Sequence, residues 1–339
     1  MDISIIILNT NDLKYLEECL DSLRGCGKSR QVEIIVSDNA STDGSIEMVE
    51  TKFPQVRLIK NQENLGFTKG NNVGIKASTG QYVFLLNSDI KVLGDCIGQM
   101  ADFLDAHPDV GLAGPKILNA DMTHQSTCRK NPTLWNNFCL AFGLAKHFRD
   151  SPFFSSEEMY YFKGDHDLDV DILVGCFSCV RRSAMDQVGL LDENFYMYRD
   201  DIDWCMRFNR AGWRVVFHSG AQAIHYGGTS TVRKDAVRYT LLQQRSILDY
   251  WKGQRGLPAW CVMWLFTFCH QVGRIGVAAA KLALKSGEQQ EAKMRLLVSR
   301  ASLADLFVPH PDPRATRTGP PEVPPTPSSV NADSGGAGH

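Results

Sequence analysis

Short apolar runs alternate with amphipathic stretches along the N-terminal part of this chain. Ile3 to Leu8 is continuous and β-branched, which suits a central parallel strand covered on both faces. A helix is predicted from about Leu13 to Leu23, with Leu16, Leu20 and Leu23 on one stripe. Further strands are predicted at 32–37, 56–59 and 82–86, with helices at 45–52 and 69–77, the latter despite Gly70 and Gly74. This rhythm is that of a doubly wound, mostly parallel α/β sheet. Polar clusters at 38–44 and 87–89 each follow an apolar strand. In open α/β sheets ligands bind beyond the carboxyl ends of strands, so Asp38 and Asp89 are expected on one rim.

The pattern is less regular farther on. A helix is expected at 95–107, and a strand at 111–118 broken into two parts by Gly114-Pro115. Residues 119–170 have weak periodicity and many aromatics. They read equally as an insertion shaping an acceptor pocket or as a surface excursion. A strand at 172–180, short helices at 182–188 and 204–211, and edge strands at 215–217 and 223–225 follow. The helical pattern returns at 234–251. Gly256 to Gly273 then runs for 18 residues without an Asp, Glu, Lys or Arg, and Arg274, Lys281 and Lys285 come after it. Three placements are open for it: in the membrane interface, packed on the protein, or spanning. Pro258, His270, Gln271 and the flanking cations favour the interface. The tail from Pro309 to His339 holds 8 of the 14 prolines and no aromatic residue, and is expected to be disordered.

A 43% hydrophobic share over 339 residues supplies a core, and a net charge of −2 gives no basic field for nucleic acid. Ten cysteines without a second CxxC near Cys176 and Cys179 read as reduced thiols rather than a zinc site. The apolar run at the start is too short for a signal-peptide core, which points to the cytoplasm. The turn after the first strand, Asn9 to Asp12, has no glycine, and no GKS/T motif occurs. A dinucleotide or P-loop enzyme is therefore disfavoured.

Candidate chemistry is acidic. Sugar transfer from a nucleotide needs a group to hold the nucleotide, a hard cation or counter-charge at the diphosphate, and a base for the attacking hydroxyl. Asp38 closes the second strand and Asp89 the fourth. Asp200, Asp201 and Asp203 cluster before an apolar helix, where they also suit a helix N-terminus. His225 follows a short apolar run. Each has a plain structural reading by itself.

Their order is informative. The opening strand Ser4 to Asn11, the string Glu33-Ile-Ile-Val-Ser-Asp-Asn-Ala-Ser-Thr-Asp-Gly-Ser45, the segment Asn64 to Gly74, Leu85-Leu-Asn-Ser-Asp89, Gly175-Cys-Phe177 and Phe195 to Cys205 recur in sequence. Over residues 1–250 the chain resembles the family 2 glycosyltransferases of GT-A fold, in their rhamnosyltransferase-like branch. The resemblance implies a GT-A type, Rossmann-like sheet and an inverting transferase using a dTDP- or UDP-sugar. Donor contacts are implied at Asn9, Asn11, Asp38, Asn39, Asn64, Gly66, Lys69, Gly70, Asn71, Asn87 and Asp89. Asn87 stands where the family often has an acid, which leaves Asp89, with His225, for Mg²⁺ or Mn²⁺. Asp201 falls at the base position, with Asp200 second. Gly175, Cys176, Phe177 and Asp203 lie on the implied acceptor side. Arg245 falls near a basic position that could face the diphosphate. The implied acceptor is a glycan or lipid-linked glycan at the inner face of the membrane. The layout expected is a catalytic domain over 1–230, with nucleotide-sugar binding in 1–95 and the acceptor side in 110–230. A helical region over 231–308 and the tail over 309–339 complete it. The rival is a non-catalytic carbohydrate-binding or complex-organising protein on a degenerate transferase fold. Retention of Asp38, Asp89, Asp201 and His225 speaks against it.

Overall fold

The computed structural model describes residues 1–27, 29–195, 198–227, 236–284 and 289–309. The tail expected to be disordered lies, beyond Pro309, outside them, as do the Gly228 turn and Lys285. In chain order the elements are β1 (Ile3–Asn9), α1 (Leu13–Ser22), β2 (Val32–Asp38), α2 (Ser45–Lys52), β3 (Arg57–Lys60), α3 (Gly66–Ala77), β4 (Tyr82–Asn87), β5 (Ile90–Val92), α4 (Cys96–Ala106) and β6 (Val110–Leu118). There follow β7 (Cys128–Arg129), α5 (Leu134–Ala141), α6 (Leu144–His147), β8 (Leu168–Asp169), β9 (Ile172–Leu173), β10 (Phe177–Arg181), α7 (Arg182–Val188), α8 (Asp200–Arg210), β11 (Arg214–His225), α9 (Ala236–Ala283) and α10 (Gln289–Asp305).

The main sheet runs β3-β2-β1-β4-β10-β6-β11-β5, with β8 added on β11. Its first four strands are parallel, as the βαβ rhythm requires. Beyond β4 the sheet is mixed: β10 runs antiparallel to both β4 and β6, and β11 is parallel to β6 but antiparallel to β5. The expectation of a mostly parallel sheet therefore holds for the N-terminal half alone. Ile3, Ile5 and Ile7 point into one core layer with α1, α2 and α4, while Ile6 faces the other with Ile75 of α3. This two-sided burial explains why β1 reads as an unbroken apolar run.

Three strand expectations need correction. The run expected as one strand at 172–180 divides at 174–176 into β9, paired with β7 in a separate two-stranded sheet, and β10 of the main sheet. Residues 215–217 and 223–225 belong to one strand, β11, which is interior, lying between β6 and β5. Its polar middle hides this, because a register shift between His218 and Gln222 interrupts the alternation. β6 passes through Gly114-Pro115 unbroken, and its pairing with β10 ends earlier, at Ala113.

Helix α3 sits close on β1. A Cβ at Gly74 would lie 2.4 Å from Ile6 Cγ2, so only glycine lets the two backbones approach this far. α9 is broken at Gly256 (φ 81°, ψ 177°), just before Pro258. Its first half buries Tyr250 and Trp251 in the core with Phe208 of α8. Its second half packs one side on α5 and α10 through Met263, Gln271 and Ala278, and leaves Leu257, Leu265, Val272 and Val277 exposed.

Candidate active site

The carboxyl ends of β2, β1, β4 and the chain leading into β10 form one rim. Asn9 is in register with Asp38, Leu8 with Asn87, and Leu86 with Phe177. With β1 between them, β2 and β4 stand about 10 Å apart at strand spacing. Asp38 is buried. Its Oδ2 accepts from Asn9 Nδ2 at 2.7 Å and its Oδ1 from the Ser41 N–H at 2.8 Å. Asn9 Oδ1 is buried without a partner. Asn11, at φ 52°, accepts from the Thr42 N–H at 2.7 Å and shapes the facing turn. Asn39 Nδ2 donates to the Gly66 carbonyl at 3.1 Å and to Asn64 Oδ1 at 3.2 Å, and Asn64 also accepts the Gly66 N–H at 2.9 Å. Asn71 turns back on its own helix, donating to the Phe67 carbonyl, and Gly70 packs against Leu8 and Asn39. Lys69 is exposed. In this half, Asp38, Asn9 and Asn39 sit at the rim, whereas Gly70 and Asn71 serve the packing beneath it.

At the end of β4, Asp89 Oδ1 lies 3.2 Å from His225 Nε2, and Asn87 Nδ2 is 3.5 Å from the same nitrogen. The other ring nitrogen, Nδ1, is 2.7 Å from Gln125 Oε1. Gln125 is oriented by its own Nε2, which donates to Asn119 Oδ1 at 2.8 Å. An amide oxygen only accepts, so Nδ1 carries the proton and Nε2 presents a lone pair to Asp89. A lone pair against a carboxylate calls for a positive charge, either a second ring proton or a cation. Imidazole, carboxylate and a neutral amide oxygen suit Mn²⁺ or Mg²⁺ if further oxygens complete the shell. Among the described residues no group of three or more His, Cys, Asp and Glu is placed to hold a metal by itself. The remaining ligands would have to come from substrate or water.

The acid pair opens α8. Tyr198 (φ 69°) and Arg199 (φ 66°) are both left-handed, an uncommon strain for such residues, costing about 1–2 kcal/mol each. Asp200 is buried, and burial together with the Asp201 and Asp203 charges pushes its carboxyl well above the usual range. Asp201 is half-buried and is also raised by burial. Its ionised form is supported by the Ile202 N–H at 2.8 Å, the Arg199 charge and the Gly175 N–H at 3.4 Å. Of the two, Asp201 is thus suited to accept a proton and Asp200 to stay neutral. Asp203 is committed to Arg207 at 2.9 Å, which in turn holds the carbonyls of Val188 and Leu190. Cys176 and Phe177 belong to the core, and burial pushes the Cys176 thiol up to about 12. Only Gly175 of that string reaches the acids. Arg245 is tied to Asp305 of α10 by an ion pair and does not face the rim as expected.

The profile of the family described as "Glycosyl transferase family 2" matches residues 4–189, more than half of the chain. The chain belongs to glycosyl transferase family 2. It is 30% identical over 234 residues to the N-acetylglucosaminyl-diphospho-decaprenol L-rhamnosyltransferase of Mycobacterium tuberculosis, covering 66% of this chain and 75% of that one. It is 26% identical over 233 residues to Rhamnosyltransferase WbbL of Escherichia coli, covering 66% and 82%. Among solved structures, the mannosyltransferase PcManGT of Pyrobaculum calidifontis, in complex with GDP-Man and Mn²⁺, superposes with a TM-score of 0.53 at 15% identity. The match covers 89% of this chain and 85% of that one. The fold is thus GT-A, and the protein is a glycosyltransferase that uses a nucleotide-sugar donor.

Several working parts of this family 2 transferase were not assigned from sequence. Asn72 Nδ2 donates to the Leu191 carbonyl at 2.9 Å and its Oδ1 accepts the Leu191 N–H at 3.2 Å, and Thr68 donates to the Phe195 carbonyl. The α3 motif therefore clamps the segment that leads to the acid pair. Gln125 and Glu157, the latter 3.6 Å from Arg199, come from the 119–170 region that pattern left unplaced.

Proposed function

We propose that the protein transfers rhamnose or another hexose, with inversion, from a dTDP- or UDP-sugar to a hydroxyl of a glycan or lipid-linked acceptor. The observation that carries this is the acid pair opening α8, in which half-buried Asp201 accepts the Gly175 and Ile202 N–H groups while Asp200 is buried. Asp201 takes the proton as the acceptor oxygen bonds to the anomeric carbon. The bond from that carbon to the diphosphate breaks, and its electron pair leaves with the nucleoside diphosphate. Asp38 and Asn9 hold the nucleoside at the rim. Asp89 and His225, with Asn87 beside them, would hold Mg²⁺ or Mn²⁺. When bound, the ion neutralises the charge developing on the diphosphate. Gly175 steadies Asp201. Residues 1–230 form the catalytic unit, with the donor side in 1–95 and the acceptor side in 110–230.

The test is turnover of purified protein with nucleotide sugars. Asp201→Asn should cut the rate about 10²–10⁴-fold with little change in donor binding. If Asp201→Asn retains more than about a tenth of the rate while Asp200→Asn abolishes it, Asp200 is the base. A wild type that neither transfers nor hydrolyses any donor would favour the non-catalytic reading.

We further propose that the 231–308 region rests on the inner face of the cell membrane. The support is a helix long and apolar enough to span one by length and composition, with one side packed on protein. Exposed Leu257, Leu265, Val272 and Val277 lie along it. Exposed Trp135, Phe142, Phe148 and Phe153 come from the region of α5 and α6. Flotation with anionic liposomes tests this, and a protein left at the bottom of the gradient overturns it.

A further inference from the structure

A cavity of about 330 Å³ lies between α5 and α9, away from the nucleotide rim. Leu140, Ile247, Met263 and Phe266 form its apolar wall. Its polar groups fall into two sets. The carboxylates are already occupied: Glu157 faces Arg199 at 3.6 Å and Glu158 faces Arg129 at 2.9 Å. The second set is not. Gln244 and Gln271 are buried, and the Oε1 of each has no hydrogen-bond partner. The Gln244 amide is oriented by its Nε2, which donates to the Ser302 carbonyl at 2.9 Å, so its oxygen faces a missing donor. Arg274 lines the same cavity half-buried. Among the described residues it makes no hydrogen bond or ion pair.

A half-buried guanidinium without an anion is costly. Burial and the nearby Arg295 charge both push Arg274 down from its ordinary range, so the pocket disfavours the cation it contains. An incoming anion removes that conflict, and buried amide oxygens are satisfied by hydroxyl donors. Guanidinium matches phosphate oxygens in bidentate geometry, and the apolar wall suits hydrocarbon. We propose that this cavity binds a phosphate-bearing, hydroxyl-bearing ligand, with its phosphate on Arg274, its hydroxyls on Gln244 and Gln271, and any hydrocarbon chain along Met263 and Phe266. Resting on the transferase reading above, that ligand is the sugar acceptor. Arg199 lines the cavity, directly precedes the acid pair, and its charge acts on Asp201. A lipid phosphate and a free sugar phosphate present the same chemistry to this site, and the two probes below tell them apart.

The experiment is calorimetric titration of the full chain, in chelator and without donor, using farnesyl diphosphate and inorganic pyrophosphate as probes. Both should bind, and Arg274→Gln should weaken each about tenfold or more. Arg274→Lys should recover part of the loss, and matched thermal melts should show that each variant is folded. Tighter binding of farnesyl diphosphate, lost in Phe266→Ala, identifies a lipid ligand. Equal binding of both probes identifies a free phosphate. Absence of binding overturns the proposal. So does binding unchanged in Arg274→Gln, or binding lost only in Asp89→Ala, which would place the probes at the donor rim. Arg274-dependent binding by a protein that turns over no donor would sink the transferase reading and leave the phosphate site standing.

Discussion

The proposed donor half and the proposed acceptor half of this transferase are polar in different ways. Around Asp38 the side chains are neutral amides and hydroxyls, and most bonds run within one strand-turn-helix unit or to the neighbouring strand. Around Asp201 the groups are charged, and their partners come from far along the chain, as with Arg199 and Glu157. A neutral network can be satisfied once and left alone. Charges half-buried with incomplete partners respond to protons, metal and substrate. The donor side is therefore built for shape and the acceptor side for response.

Four measurements can break or sharpen that contrast. The largest effect is expected at Gln125. Gln125→Leu frees His225 Nδ1 and should lower Mn²⁺ affinity about 10–100-fold, read by metal titration in the presence of nucleoside diphosphate. Unchanged affinity would remove His225 from the metal site. Next is the donor side, where sensitivity should be steric. Gly74→Ala gains about 1 kcal/mol of helix propensity but presses on buried, β-branched Ile6. A net loss of about 1–2 kcal/mol in urea unfolding is expected. A neutral result would mean that α3 and β1 are looser than the 2.4 Å approach implies.

The third measurement is a pH profile. In the proposed role Asp201 must be ionised to act, and burial raises its pKa. The rate kcat/KM should therefore fall with acid at a pH above the ordinary carboxylate range of about 3.9. Arg199 opposes that rise, so Arg199→Gln should move the acid limb to higher pH. A limb that stays in place would show that Arg199 acts on fold alone. The smallest effect concerns Glu157, which burial pushes from 4.5 up to about 7. The folded state then binds the proton more tightly than the unfolded one. Its stabilising contribution is present below about 4.5 and is lost as pH rises through about 7. Glu157→Gln should gain stability relative to wild type between pH 5 and pH 8, by about 1 kcal/mol once the weakened Arg199 contact is counted. Calorimetric Tm values at the two pH values test this, and a variant that loses ground at pH 8 would mean that burial does not raise the Glu157 carboxyl and that its charge is well accommodated.

The same division explains what could be read from the chain. β1, β2 and β4 and the placing of Asp38 and Asp89 on one rim were legible, because buried strands and polar strand ends leave a local trace. The boundaries of α2 and α7 agree with the pattern. α8 starts at Asp200 rather than Trp204, since its first turn is acidic and carries no apolar stripe. The helix at 69–77 was legible despite Gly70 and Gly74, but the pattern did not show that their lack of a side chain is what seats α3. Gln125 could not be singled out, because its partner lies 100 positions away. Arg245 sat at a plausible place along the sequence, and only the packing of α10 shows that Asp305 claims it.

The position of β11 has a consequence for how the protein is made. This strand is late in the chain, yet it is inserted between β6 and β5 and carries His225 opposite Ile90. A ribosome emits the donor half first, and its four parallel strands can assemble while the rest is still being synthesised. Asp89 must then wait for more than a hundred residues before its histidine exists. Until β11 closes the sheet, β5 and β6 offer open edges to any passing strand. Stalled or truncated chains ending before His225 should therefore hold the parallel half of the fold without the Asp89–His225 contact.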